Sequence, residues 1–234
     1  MLSAAGATVE AWQPPPVGAA MAIWLGCLTA DRGRGMKRLV RGQKVDKRAA
    51  TFLGLSAMPA WLRAIVSPVL ETIGQRSMGT SLRFFARGDV ASYWQASEAL
   101  IDYEQAFRHA LDQASLDLVL CPAYGVPAVR HGAANDMPVA GAYSLLAPVL
   151  GYPSGVVPVT RVREDEESDR VPSRDRVIMT ACAAEAGSRG LPVGVQLIGK
   201  PWREPVVLRA MQAIEQAAQA LPDYPRTPVA VSGR

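Results

Sequence analysis

Tyr143–Val159 reads Y-S-L-L-A-P-V-L-G-Y-P-S-G-V-V-P-V, and Gly190–Trp202 reads G-L-P-V-G-V-Q-L-I-G-K-P-W. The first stretch predicts a short helix from Tyr143, broken by Pro148 and Gly151. Proline brings no backbone donor, and glycine favours the left-handed turn that ends a helix. A tight turn over 151–155 then leads into a strand over 156–159. The second stretch predicts a strand over 190–199, because a run this apolar suits a sheet covered on both faces. Residues 200–205 open a last amphipathic helix, with Pro205 in its first turn. Its expected buried stripe is Val207, Ala210, Met211, Ile214, Ala217, Ala218 and Leu221. Strand, helix and strand in this order predict an α/β fold, with helices layered on a sheet.

Working back along the chain, residues 90–115 carry the clearest helical period. Tyr93, Ala96, Leu100, Tyr103, Phe107, Ala110 and Ala114 recur at three and four, and this stripe reads as core packing. D-L-V-L-C-P at 117–122 follows as a buried strand stopped by proline. Residues 52–70 are strongly apolar and predict two short helices meeting near Pro59. Ahead of them, residues 31–48 hold eight basic side chains. A basic stretch beside a tryptophan-bearing apolar helix suits a surface that lies in a membrane interface. Core packing or a dimer interface is the alternative use of that face. At the start, M-L-S-A-A-G reads as the last turn of a helix and Ala7–Trp12 as a short strand. The chain is therefore expected to open inside a domain.

Composition bounds the function. The chain has 234 residues, 49% hydrophobic and 20% charged, which excludes wholesale disorder. Its formal charge of +4 is too small to imply nucleic acid. Three scattered cysteines, Cys27, Cys121 and Cys182, exclude a disulfide framework and point to a reducing compartment. With two histidines besides, no metal or other cofactor is expected. The apolar part of residues 11–30 is too short to span a bilayer and reads as core. A cytoplasmic location, peripheral to a membrane, is the expectation. Residues 161–176 hold six acids and five arginines and read as a solvated, self-paired loop; residues 222–234, with three prolines, read as a flexible tail.

The order L-C-P-A, then Y-S-L-L-A-P-V-L-G-Y-P-S-G-V-V-P-V, then G-L-P-V-G-V-Q-L-I-G-K-P-W, then a closing helix resembles the carboxy-terminal half of amidase signature hydrolases. Within that family it is most similar to the fatty acid amide hydrolase branch. G-V-V-P-V-T at 155–160, the E-D-E-E loop at 164–167, Pro201-Trp202 and M-P-A-W-L-R at 58–63 carry that likeness. The resemblance covers residues 6–221. It implies a partial amidase signature domain over residues 1–221: part of a mixed β-sheet covered by helices, without the amino-terminal half. It also implies a membrane-facing helical cap over residues 52–73.

The family hydrolyses amides with a lysine and two serines. A hydroxyl becomes a nucleophile when a base takes its proton, and backbone N–H groups then hold the oxyanion. This chain has no Gly-Gly-Ser-Ser-Gly run, no adjacent serine pair and no S-x-x-K. Gly151-Tyr152-Pro153-Ser154-Gly155 also misses the spacing of a nucleophile elbow. No catalytic residue carries over, and the chain alone is expected to be inactive. What carries over is wall and cap: Ser154, Val156, Val157 and Trp202 toward an amide or lipid substrate, and Trp61, Leu62 and Ile65 toward a membrane. Packing on the sheet is the alternative role for Trp202. An amino-terminal half or a second copy is the expected protein partner, and nucleic acid is not. A non-catalytic lipid- or amide-binding protein, or a remnant that does not fold, is the alternative to an amidase portion.

Overall fold

The computed structural model describes residues 1–226. Helix α1 (Val17–Leu28) buries Ala20, Met21 and Leu25, the core role expected of it. A helical group follows: α2 (Arg34–Leu39), α3 (Lys47–Ala57), α4 (Ala60–Thr72) and α5 (Arg76–Arg83). The long α6 (Val90–Gln113) leads into β1 (Leu118–Pro122). Then come α7 (Ala142–Leu150), β2 (Ser154–Arg161), α8 (Arg176–Glu185), β3 (Pro192–Gly199) and α9 (Glu204–Ala218).

The strands form one sheet in the order β1-β3-β2, and both pairings are antiparallel. Side chains alternate across a strand. One face therefore sends Val157, Leu197 and Leu118 against Val207 and Ile214 of α9. The other sends Val119, Cys121 and Ile198 against Phe107, Leu146 and Leu150, from α6 and α7. Helices cover both faces, as the apolar strand pattern requires.

Three local expectations are corrected. Ala7–Trp12 forms no strand, because among the described residues no strand pairs with it. Pro148 does not end α7; the helix runs through it and stops at Gly151, where φ is +66°. One lost hydrogen bond is outweighed by the burial of Leu146, Ala147 and Leu150. The 161–176 loop does not pair only with itself. Glu185, largely buried, takes Arg170 at 2.5 Å, and the Gly187 and Arg189 amides donate to Glu167. Of the expected tail, Asp223 accepts from Arg163 at 2.9 Å, and residues 227–234 lie outside the described residues.

Asp175 joins the helical group to the body. One carboxylate oxygen caps α8 by accepting from the Val177 amide, and the other accepts from the Ser77 amide in the first turn of α5. Gln75 adds two bonds to the same junction, with Arg174 and Arg176. Burial pulls the Asp175 carboxyl upward, but the N–H donors outweigh it and leave it below the usual carboxylate range. Asp175→Ala is expected to cost about 2 kcal/mol in urea denaturation at neutral pH. Because the folded value is depressed, this contribution is fully present above the unfolded value of about 3.9. It disappears as pH falls through the folded one. Equal Asp175→Ala and wild-type stabilities at pH 7 would show that the junction does not hold the two parts together.

Candidate functional site

In β2 and β3, Ser154 lies opposite Ile198, Val156 opposite Gln196 and Val157 opposite Val195. Ser154 and Val156 share a face and are exposed, Val156 by 52%. Val157 points the other way into the α9 core, beside Gly155, whose missing Cβ leaves room for Met211. The two valines, adjacent in sequence, thus sit on opposite faces. The floor beside Ser154 and Val156 includes Gln196, 4% exposed, whose amide donates to Tyr143 O at 3.0 Å. The glutamine inside the apolar run V-G-V-Q-L-I is the feature of the sequence that marks this buried polar anchor. Burial raises the thiol of its neighbour Cys121, more than the Gln196 contact lowers it.

Trp202 stands at the same end of the sheet as Ser154. The Gly199 amide donates to Pro153 O at 2.9 Å, tying the end of β3 to the start of β2. Lys200 is fixed to Asp112 at 2.6 Å, and Arg203 N closes a turn on Lys200 O. Between these anchors Trp202 takes φ +63° and leaves its side chain 90% exposed. A left-handed backbone is strained for a bulky residue, and strain of this kind persists where the surroundings dictate it. The indole is therefore not packed on the sheet. Among the described residues no lysine is hydrogen-bonded to a serine.

The second group of candidates lies on α4. Met58, ahead of a proline, is extended, and Pro59 starts the new helix, so α3 and α4 meet at 112°. Trp61, Ile65, Val69 and Ile73 recur every four residues and are 66, 57, 53 and 62% exposed. Leu62 is half-buried and lies off this stripe. The residues α4 buries are Arg63 and Ser67. The helix is inverted, apolar outward and polar inward. Arg63 donates to Met58 O, Phe85 O and Ala86 O at 2.5, 3.0 and 2.6 Å. Met58 caps α3, and Phe85 and Ala86 follow the C-cap of α5, so the guanidinium sits just past two helix ends. Desolvation and nearby Arg32 pull the Arg63 guanidinium below its usual range, so the carbonyls must hold the charge. Among the described residues no single helix is long and apolar enough to cross a membrane; α3 and α4 reach that length only as a bent pair. The basic side chains of residues 34–48 are exposed beside them, with Leu39 80% exposed in their midst.

The family described as Amidase matches residues 1–208. The chain belongs to the amidase family. It is 29% identical over 219 residues to fatty acid amide hydrolase 1 of Caenorhabditis elegans, covering 92% of this chain and 38% of that protein. It is 29% identical over 225 residues to the Sus scrofa fatty-acid amide hydrolase 1, with the same coverage of each. A solved fatty acid amide hydrolase superposes with a TM-score of 0.59 at 19% identity, over 93% of this chain and 35% of that one. The amidase signature fold is thereby shown. The chain spans well under half the length of the curated relatives it matches.

Proposed function

We propose that this chain is the carboxy-terminal portion of an amidase that hydrolyses carboxylic or fatty acid amides. It supplies channel wall through Ser154, Val156 and Trp202, and a membrane-facing cap through Trp61 and Ile65; Val157, buried against α9, and Leu62, off the exposed stripe, are packing residues and not wall or cap. The lysine and serines come from another portion, and the chain alone is inactive. The observation that carries this reading is the match itself: nearly the whole chain aligns with little more than a third of two fatty acid amide hydrolases. Among the described residues of this chain no lysine is hydrogen-bonded to a serine. The exposed indole of Trp202 and the inverted α4 support it, since each leaves apolar surface that a channel and a membrane would cover. On this reading it is a peripheral protein of the cytoplasmic side of a membrane.

A second reading has an observation of its own. The apolar stripe of α4 and the Trp202 loop could hold a lipid or amide with no chemistry. One experiment separates the two. The purified chain is assayed for ammonia release from a long-chain primary fatty amide, alone and after fusion to the amino-terminal portion of the Caenorhabditis elegans relative. The expected result is no release from the chain and release from the fusion. Release by the chain alone would overturn the missing-chemistry reading. Stoichiometric amide binding with no release from either would favour the lipid-holding protein.

A further inference from the structure

Two side chains at one end of the sheet stand against local preference, and one lysine joins them. The first is Trp202, whose backbone is left-handed at φ +63°. At nine positions of positive φ among the described residues the chain uses glycine. Here it keeps a tryptophan and leaves the side chain 90% exposed, so burial does not offset the strain. The second is Asp112, in the last turn of α6. The carboxy-terminal end of a helix is its negative end, and an anion there is disfavoured. Two such departures from local rule, side by side, mark a functional or strained site.

Lys200 connects the two. Its Nζ meets the Asp112 carboxylate at 2.6 Å and holds that carboxyl below the usual carboxylate range. Its own carbonyl accepts from the Arg203 amide at 3.2 Å, which closes the turn around Trp202. Arg203 in turn comes within 4.0 Å of Asp117. The residues on either side of Pro201-Trp202 are thus both drawn to one corner, where α6 gives way to β1. That corner is itself fixed. The Ser115 amide donates to Asp112 O and the Leu116 amide to Leu111 O, each at 3.0 Å. Of the two ion pairs, Lys200–Asp112 is the stronger tether, because it is the shorter and its lysine side chain is only 27% exposed.

We propose that Asp112 and Lys200 are positioning residues for the candidate site: as an ion pair they hold the Trp202 turn left-handed and keep the indole out, where the acyl chain of an amide meets it. The inference rests on the function proposed above and adds what fixes one of its wall residues in place. Neither Asp112 nor Lys200 touches the substrate; both act through Trp202. The pair is partly open to water, so its hold is modest and weakens as salt rises. Glycine at 202 would keep the turn without the pair, since it adopts positive φ freely. Tryptophan needs the tether.

The test has two readouts. In the full chain, hydrogen–deuterium exchange of the Arg203 amide reports opening of the turn. Asp112→Asn and Lys200→Met should each speed it about threefold, with the amides of 195–197 in β3 unchanged. Added salt should speed it in the wild type, and the charge swap of Asp112→Lys with Lys200→Asp should restore it. In the fusion with the Caenorhabditis elegans amino-terminal portion, Asp112→Asn should raise KM for a long-chain primary fatty amide about threefold. It should leave kcat, and KM for butanamide, as they are. On a Trp202→Gly background the same change should do nothing, because no indole remains to be placed. Faster exchange with unchanged KM in an active fusion would make the pair structural only and overturn the proposal. A KM that rises as much on the glycine background would overturn it too, since Asp112 would then act other than through Trp202. Unchanged exchange in both single variants would show that the turn holds without the pair, against the proposal. A fusion that releases no ammonia would overturn the proposed function itself, and the positioning role with it, whatever the exchange shows.

Discussion

Replacing Arg63 by methionine is expected to lower the unfolding free energy by about 3 kcal/mol or more, because two buried carbonyls and one partly buried one lose their donor at once. In a chain of this size that is a fall in melting temperature of about 10 °C. Arg63 is 5% exposed and its three acceptors are main-chain oxygens of Met58, Phe85 and Ala86. Methionine fills the same stem volume and offers no N–H, so the change isolates the hydrogen bonds from the packing. The loss should concentrate where those carbonyls are, in α3, α4 and the 84–86 segment. That segment is also pinned by Thr29, which accepts from the Ala86 amide at 2.9 Å. Arg63→Lys should recover only part of the loss, since an ammonium cannot spread its donors as a planar fork does. A cost below about 1 kcal/mol, shared alike by lysine and methionine, would mean that water can satisfy the three carbonyls and that the inversion of α4 is not held from inside.

This residue also marks where the sequence stops being readable. In M-P-A-W-L-R-A-I-V the apolar letters invite burial and the arginine invites exposure. The helix and its proline boundary follow from local rules and were legible. Which way the helix faces depends on carbonyls that arrive more than twenty residues later, and no periodicity reports that. Asp175 is a similar case. It stands in a charged run that reads as solvated, yet its Ser77 partner lies 98 residues away. Strand order limited the site reading in the same manner. The run G-V-V-P gives two adjacent valines, and only the register against β3 shows that Val156 faces out and Val157 faces α9. The motif order, by contrast, was enough to name the family, because it depends on composition along the chain and not on what meets across space.

Trp61→Glu with Ile65→Glu is expected to reduce binding to phosphatidylserine-containing vesicles on the order of 100-fold. Burying a large apolar side chain contributes about 1.5–3 kcal/mol, and the double change removes two and adds two anions. Fold stability should hardly move, because both side chains already face out, at 66 and 57% exposure. That separation makes the test clean: unchanged urea denaturation with lost co-sedimentation assigns the stripe to the membrane. The neighbouring basic residues make a second, separable contribution of about 1 kcal/mol each near an anionic surface. Raising the salt, or using pure phosphatidylcholine, should weaken the wild type through that electrostatic part and leave a salt-resistant remainder. The double variant should lose the remainder. If it sediments with vesicles as the wild type does, the stripe of α4 is covered by protein and not by lipid, and Arg63 holds open a protein interface.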